Sequence, residues 1–304
     1  MEDPRSAAIR LKIFEWLQQR MAITGDDVLT RKELESECII DGEIVPLVGP
    51  QGIFKPKVID YFPISITTSP NSPYPDRISD NTLTYKYRGT DPNFHENIRL
   101  KRAMEQKVPL VYFFGLIPGR YMVQFPAFIT RADDLNLSFS VLVDVNQNLL
   151  LNSKEEDQAN DPLVDEVRRK YATREVVIRL HQRSFREKVL HAYHDHCAFC
   201  RLKHRELLDA AHIIPDNEGG PPVVNNGISL CKIHHAAYDR NILGINEDFR
   251  IEVRQDILDE VDGPMLKYGL QEFHNNELIL PRSRASYPDK QFILVRYERF
   301  LKSS

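Results

Sequence analysis

A chain of 304 residues, 42% hydrophobic and 28% charged, carries enough apolar side chains for two cores of ordinary size and too many for a disordered tail. Its net charge of −4, from 40 basic and 44 acidic residues, excludes a histone-like binder that coats nucleic acid with its whole surface, yet leaves room for a local basic face. No apolar run approaches the roughly 20 residues of a membrane helix, and the opening MEDPRSAAIRLKIFEWLQQR lacks the apolar centre of a secretory signal, so a cytoplasmic protein without membrane contact is expected.

The first predicted element is an amphipathic helix over 7–20, with Ile9, Leu11, Ile13, Phe14 and Leu17 among its apolar positions. Cys38, inside Glu37-Cys38-Ile39-Ile40, reads as a small buried hydrophobe. Strand signals follow at 44–48, 64–68, 83–87, 109–114, 121–125 and 127–130, punctuated by Pro and Gly and interrupted by one helical stretch over 96–106. Many short strands with one or two helices predict a curved sheet or barrel. After a strand-like run at 139–143, polar and acidic residues gather over 146–162, the composition of a surface linker.

Within this half, Gly49-Pro-Gln-Gly52-Ile53, Ile64–Ser69, Tyr74-Pro-Asp76, Leu83-Thr-Tyr-Lys-Tyr87-Arg-Gly89 and Asn97-Ile-Arg-Leu100 succeed one another over about 100 residues. In that order and approximate spacing they resemble the SRA (SET- and RING-associated, or YDG) family. The paired acidic residues common after the family's tyrosine are reduced here to Asp76-Arg77. The resemblance implies a PUA-like curved barrel that flips a modified cytosine out of duplex DNA. Tyr74 and Tyr87 would sandwich the base, and Asp76 would accept a hydrogen bond from the cytosine amino group. Read without the resemblance, the tyrosines are strand residues with polar tips at the surface, and Asp76 is a turn former in a Pro- and Ser-rich loop.

Beyond the linker, 174–180 reads as a strand and 182–193 as a helix that places Phe185, Val189 and Tyr193 along one face. From Arg168 to Arg205 eleven Lys or Arg face three acidic residues, Glu175, Glu187 and Asp195. That is either a basic surface leading into the cysteines or a solvated helix face. Of four cysteines, Cys38 stands apart and three cluster, a poor disulfide framework but a sensible metal set. Cys197-Ala-Phe-Cys200 and Cys231-Lys-Ile-His234 each put two ligands three residues apart. Together they predict a closed Cys3His zinc site with no open position, which holds the fold instead of doing chemistry.

Between those pairs lie Asp209-Ala-Ala-His212-Ile-Ile-Pro215, a Gly219-Gly220-Pro221-Pro222 turn and Asn225-Asn226-Gly227-Ile228-Ser229-Leu230-Cys231. His234-His235 and Tyr238-Asp239 follow. This run of about 50 residues resembles the HNH endonuclease superfamily, in its branch written AHI…NG…LCxxHHxx(F/Y)D. The resemblance implies a β-hairpin followed by a helix that grips one divalent ion, Mg²⁺ or Mn²⁺. In it His212 would be the general base, Asn226 would brace the loop and orient His212, and His235 would bind the metal. Asp239, four residues on from His235 along a helix, could reach the same ion. Many members carry a further ligand immediately before the base, where this chain has Ala211. Asp209 ranks below Asp239, because on a regular strand it points to the opposite face. His194, His196 and His204 read as surface residues.

The tail predicts strands at 250–253 and 278–280 and a helix over 291–301. The expected fold is α+β: an SRA-like (PUA-like) curved β-barrel domain over 1–150, a linker over 151–170, and a ββα-metal HNH domain with its zinc site over 171–304. The expected function is a modification-dependent, type IV-like restriction endonuclease acting on double-stranded DNA that carries a modified cytosine. A dimer or two sequential nicks would give a double-strand break. Two other readings stand beside it. In one, the N-terminal domain reads unmodified sequence or docks a protein; in the other, the chain is a non-catalytic zinc-stabilised DNA-binding protein, which would have no use for a general base.

Overall fold

The computed structural model describes residues 2–70, 83–143 and 162–303, with backbone alone for 162–175 and 177. Contacts divide the chain into two compact units, Met1–His181 and Gln182–Ser304.

In the first unit, helix α1 (Pro4–Thr24) starts where Asp3 accepts a hydrogen bond from the Ser6 amide and Pro4 occupies the first turn. It stops at Gly25, whose φ of 65° suits a residue without a side chain. The helix buries Ile9, Ile13, Phe14 and Leu17, together with Arg10, which donates to the carbonyls of Pro63 and Pro109 and pairs with Glu2. Strand β1 (Val28–Thr30) leads into α2 (Arg31–Ser36) through a Thr30/Glu33 capping box. A small hairpin, β2 (Ile39–Ile40) with β3 (Glu43–Ile44), follows. Buried Cys38 lies in the same core as α1, and burial pushes its thiol up to about 12.

The main sheet is built from β4 (Ile53–Phe54), β5 (Ser65–Thr68), β6 (Leu83–Lys86), β7 (Leu110–Ile117), β8 (Arg120–Asp133) and β9 (Ser138–Val143). Its order is β4-β5-β7-β8-β9-β6 with β1 added on β8, and it curls into a half-barrel. Among the described residues only β5 and β7 run parallel; helix α3 (His95–Glu105) lies between β6 and β7 in the chain. The two strands expected at 121–125 and 127–130 are one strand, β8. Pro126 is accommodated by a register shift in the β7–β8 pairing, where Phe125 and Pro126 stand opposite the single residue Val111. Of the strand expected at 44–48 only its start pairs, in β3; Val45, Leu47 and Val48 are buried on irregular backbone. Asn97 on α3 pins the turn after β6: it accepts from the Arg88 amide and donates to the carbonyls of Arg88 and Asp91.

Helix α4 (Pro162–Ala192) takes the place of the strand expected at 174–180 and contains the helix expected from 182 on. The β-branched run Val176-Val177-Ile178 is only three residues long, and no Gly or Pro interrupts 163–192. Val176 and Leu180, one turn apart, are both buried.

The second unit centres on a two-stranded ribbon, β10 (Leu208–His212) and β11 (Gly227–Cys231), followed at once by α5 (Lys232–Asp239). A second ribbon, β12 (Leu243–Ile245) with β13 (Ile251–Val253), and short helices α6 (Gln255–Asp259) and α7 (Pro264–Gly269) come next. Helix α8 (Lys290–Lys302) closes the unit and packs Phe300 over Gly244. The segment 278–280 is not a strand, although Leu278 is buried and the Ile279 amide donates to the Ala198 carbonyl. Phe185, Val189 and Tyr193 from the end of α4 share one core with Leu208, Ala211, Ile228, Leu230 and Ile293. Among the described residues no helix is long and apolar enough to cross a membrane.

Candidate active site

The ribbon and α5 divide the polar residues between two clusters. Cys197 and Cys200 lie on the turn after α4, Cys231 ends β11, and His234 sits in the first turn of α5. Their ligand atoms all lie within 4.8 Å of one another. His234 Nδ1 is 3.2 Å from the Cys231 sulfur and 3.5 Å from that of Cys197, and the Cys200 and Cys231 sulfurs are 4.0 Å apart. Ligands at zinc–sulfur and zinc–nitrogen distances of about 2.0–2.3 Å must converge in this way. On the far side of the imidazole, Nε2 is 2.9 Å from the Gly269 carbonyl, which leaves Nδ1 free to bind a cation. Hydrogen bonds from Cys197 and Cys200 hold the Cys231 thiol far below its ordinary range, whereas Cys200 and Cys231 push that of Cys197 up. Three soft sulfurs and one imidazole nitrogen, mostly sealed from water, fit a metal ion and leave it no open position.

The second cluster faces outward. His212 ends β10, paired across the ribbon with Gly227. Its imidazole lies parallel to the Phe185 ring, with centroids 4.0 Å apart and planes at 13°. Burial lowers its pKa from 6.5; Asp216 and Asp239 oppose the shift and His235 adds to it. The ring is therefore neutral at pH 7, the state a proton acceptor needs.

Asn226 is buried immediately before β11. Its Oδ1 accepts from the Ile214 amide at 2.8 Å, and its Nδ2 donates to the carbonyls of Ile214 and Pro221 at 2.9 and 3.0 Å. The side-chain amide thus holds the backbone two residues beyond His212 as a neighbouring strand would. Gly220 permits this: a Cβ there would overlap the Ile214 carbonyl and press on Asn226 Nδ2. Asn225 faces elsewhere, donating to the carbonyls of Ala285 and Tyr287.

His235 is half-buried on the outer face of α5, with Asp239 Oδ2 3.4 Å from Nε2 and Asp209 Oδ2 3.9 Å from Nδ1. The expectation that Asp209 would point away assumed a regular strand. In the structure its carboxylate instead reaches His235 on the helix. Asp209 foremost, with Asp239, raises the His235 pKa against burial; reciprocally His235, then Arg186 and Lys232, lower that of Asp209. Asp209 and Asp239 thus lie against opposite nitrogens of the His235 imidazole, so a divalent cation beside Asp239 could take His235 and Asp239 as hard ligands while Asp209 holds the far nitrogen. Arg186 supports it from α4, donating to the Leu208 and Arg205 carbonyls while its Nε lies 3.6 Å from Asp209. Glu187, only 1% exposed, pairs with Arg186 and Arg205, and Arg205 also pairs with Asp195. Two cations of the basic stretch are therefore committed inside the unit.

Residues 197–246 match the HNH endonuclease family. They form an HNH endonuclease domain. The chain that carries it is a nuclease. Two solved structures match part of the chain at low identity. The modification-dependent TagI restriction endonuclease is 16% identical over 78% of this chain and 81% of its own, at a TM-score of 0.29. The type IV phosphorothioation-dependent restriction endonuclease ScoMcrA is 19% identical over 57% of this chain and 45% of its own, at a TM-score of 0.21. No curated protein matches.

The HNH domain takes support from outside its matched residues. Phe185 and Arg186 precede it; Gly269, Ala285 and Tyr287 follow it. Sequence reading did not find these contacts, four of which are backbone carbonyls or a packing face that leaves no motif. The Phe185 periodicity was the available signal. His194 and His204 are exposed, and neither they nor His196 joins the four-ligand cluster.

In the first unit, Tyr74 and Asp76 lie outside the described residues. Tyr87, just after β6, is 6% exposed. Its ring packs on Phe139 at 4.3 Å between centroids, its hydroxyl donates to Asp134 at 2.6 Å, and the Lys101 ammonium lies 5.3 Å from its ring centroid. It is a core residue whose polar tip has a partner.

Proposed function

We propose that the chain is a modification-dependent, type IV-like restriction endonuclease that hydrolyses phosphodiesters of double-stranded DNA with a single-cation HNH site. The observation that carries the nuclease chemistry is the meeting of a neutral His212, on its Asn226-braced loop, with His235 and Asp239 of the adjoining helix, His235 being held from the strand by Asp209.

His212 accepts the proton of an attacking water. As the water oxygen bonds to phosphorus, the P–O bond on the opposite side breaks, and the departing oxygen is protonated from solvent. His235 and Asp239 would hold a Mg²⁺ or Mn²⁺ ion, with Asp209 on the other imidazole nitrogen. Such an ion supplies positive charge for the phosphate as negative charge builds on it. Asn226 keeps the loop, and so His212, at one distance from the phosphate. Cys197, Cys200, Cys231 and His234 would hold a structural Zn²⁺.

For the target, the support is the run of SRA-like landmarks. Gly52-Ile53 opens β4, Ile64–Ser69 spans β5, Leu83–Tyr87 spans β6, and the Asn97 landmark is the residue that pins the turn after β6. On this reading the first unit flips a modified cytosine into a pocket that includes Tyr74 and Asp76. The burial of Tyr87 against Phe139 favours a second reading for that residue, in which it supports the pocket wall instead of stacking on the base.

Matched duplexes bearing cytosine, 5-methylcytosine, 5-hydroxymethylcytosine or glucosylated hydroxymethylcytosine test the proposal. Cleavage of at least one modified duplex in preference to the plain one is expected with Mg²⁺ or Mn²⁺. Equal cleavage of all four would assign the first unit to unmodified sequence or to a protein partner.

A further inference from the structure

The HNH reading uses His212, Asn226 and His235 but gives no task to the aromatic ring lying on His212. Phe185 is contributed by α4 and is only 4% exposed. Its ring is parallel to the His212 imidazole, 13° between planes and 4.0 Å between centroids. Among the described residues no protein group hydrogen-bonds either nitrogen of that imidazole. A catalytic histidine is ordinarily oriented by a hydrogen bond at its second nitrogen. Here the plane of the ring is fixed by stacking, and both nitrogens remain available.

The ribbon is shaped to permit this contact. Gly227 is the residue paired with His212 across β10 and β11. A Cβ at 227 would come within 2.9 Å of Phe185 Cζ and overlap Val189 Cγ2. Helix α4 can therefore bring Phe185 beneath the ribbon only because position 227 has no side chain. The Gly of the Asn-Gly pair thus serves a packing need on the face behind His212, separate from the Asn226 clamp.

We propose that Phe185 is a positioning residue for the general base, acting with Gly227. It sets the plane of the His212 imidazole and excludes water from one of its faces. The second effect has a direction. Burial is the largest influence on His212 and lowers its pKa, while Asp216 and Asp239 raise it and His235 lowers it further. Taking the ring away re-solvates one face, so His212 must titrate at higher pH. The proposal rests on the reading of His212 as general base.

The test uses the full chain with Phe185→Leu, Gly227→Ala and, as a packing control, Val189→Ala. Val189 is buried in the same core one turn along α4 but contributes no ring to His212. Phe185→Leu should lower kcat between about 10- and 100-fold through misplacement of the base, with KM for DNA unchanged. It should also move the acid limb of kcat/KM toward the ordinary histidine range. Gly227→Ala should do the same more weakly, and Val189→Ala should lower the melting temperature without moving the acid limb. Nuclear magnetic resonance titration of the His212 ring protons, read without cleavage, should show the same upward shift in Phe185→Leu. An unshifted His212 titration with wild-type kcat in Phe185→Leu would overturn the proposal, as would an equal shift in Val189→Ala, which would make Phe185 ordinary packing. Retained cleavage in His212→Ala would sink the general-base reading itself, while the titration shift would still report the stacking.

Discussion

His234 and His235 are neighbours in sequence with opposite surroundings. His234 is 3% exposed among three sulfurs, with a carbonyl behind it; His235 is half-buried between two carboxylates on the outer face of the same helix. The cause is geometric: successive side chains on a helix diverge by about 100°, so one turn of α5 serves a closed soft cluster and an open hard one. On the proposed reading, closure makes the first a matter of folding, and openness makes the second a matter of chemistry. That contrast predicts which property each substitution should damage.

The sharpest break should come from Cys231→Ser. A structural zinc site couples on the order of 10 kcal/mol of metal binding to folding, so this variant should lose its zinc and the cooperative unfolding of the second unit. Elemental analysis and calorimetry would read both; a zinc-free variant that still melts cooperatively at the wild-type temperature would contradict the division.

His212→Ala comes next. Loss of the general base should reduce kcat by about 10²–10⁴-fold while zinc content, melting temperature and DNA affinity remain those of wild type. Asp209→Asn and Asp239→Asn sharpen the open cluster itself, and each should raise the half-saturating Mn²⁺ concentration by roughly 10–100-fold. If only Asp239→Asn had that effect, Asp209 would be confined to a structural pairing with Arg186. The smallest effect concerns pH. Because burial holds His212 below 6.5, its neutral, active form persists as the pH falls, and activity is lost only on passing below that ordinary value. An acid limb centred above 6.5 in the wild type would contradict this.

Ligand spacing and residue order made much of the second unit legible. CxxC and CxxH spacings permit few arrangements other than one compact cluster, and the described structure brings those four residues together. Ideal strand alternation turns the carboxylate at 209 away from the site, yet it lies against His235, a contact with the following helix that the pattern along one strand does not encode. Phe185 illustrates a different limit: its periodicity marked it as a core residue, but which group it covers depends on Gly227, more than forty positions away. In the first unit, Pro126 has the local signature of a strand break, yet a register shift that sets Phe125 and Pro126 opposite the single residue Val111 lets the strand continue. Val176-Val177-Ile178 carried the local preference of a strand, yet the helix on either side of it prevails.

The central claim is that closed and open clusters divide folding from hydrolysis. It is tested most directly by comparing wild type with His212→Ala on a duplex carrying a modified cytosine, with cleavage, DNA affinity and zinc content measured on the same preparations. The account predicts metal-dependent cleavage by wild type and none above background by His212→Ala, with equal affinity and equal zinc. Cleavage retained by His212→Ala, or no cleavage by zinc-loaded wild type on any of the four matched duplexes, would contradict it.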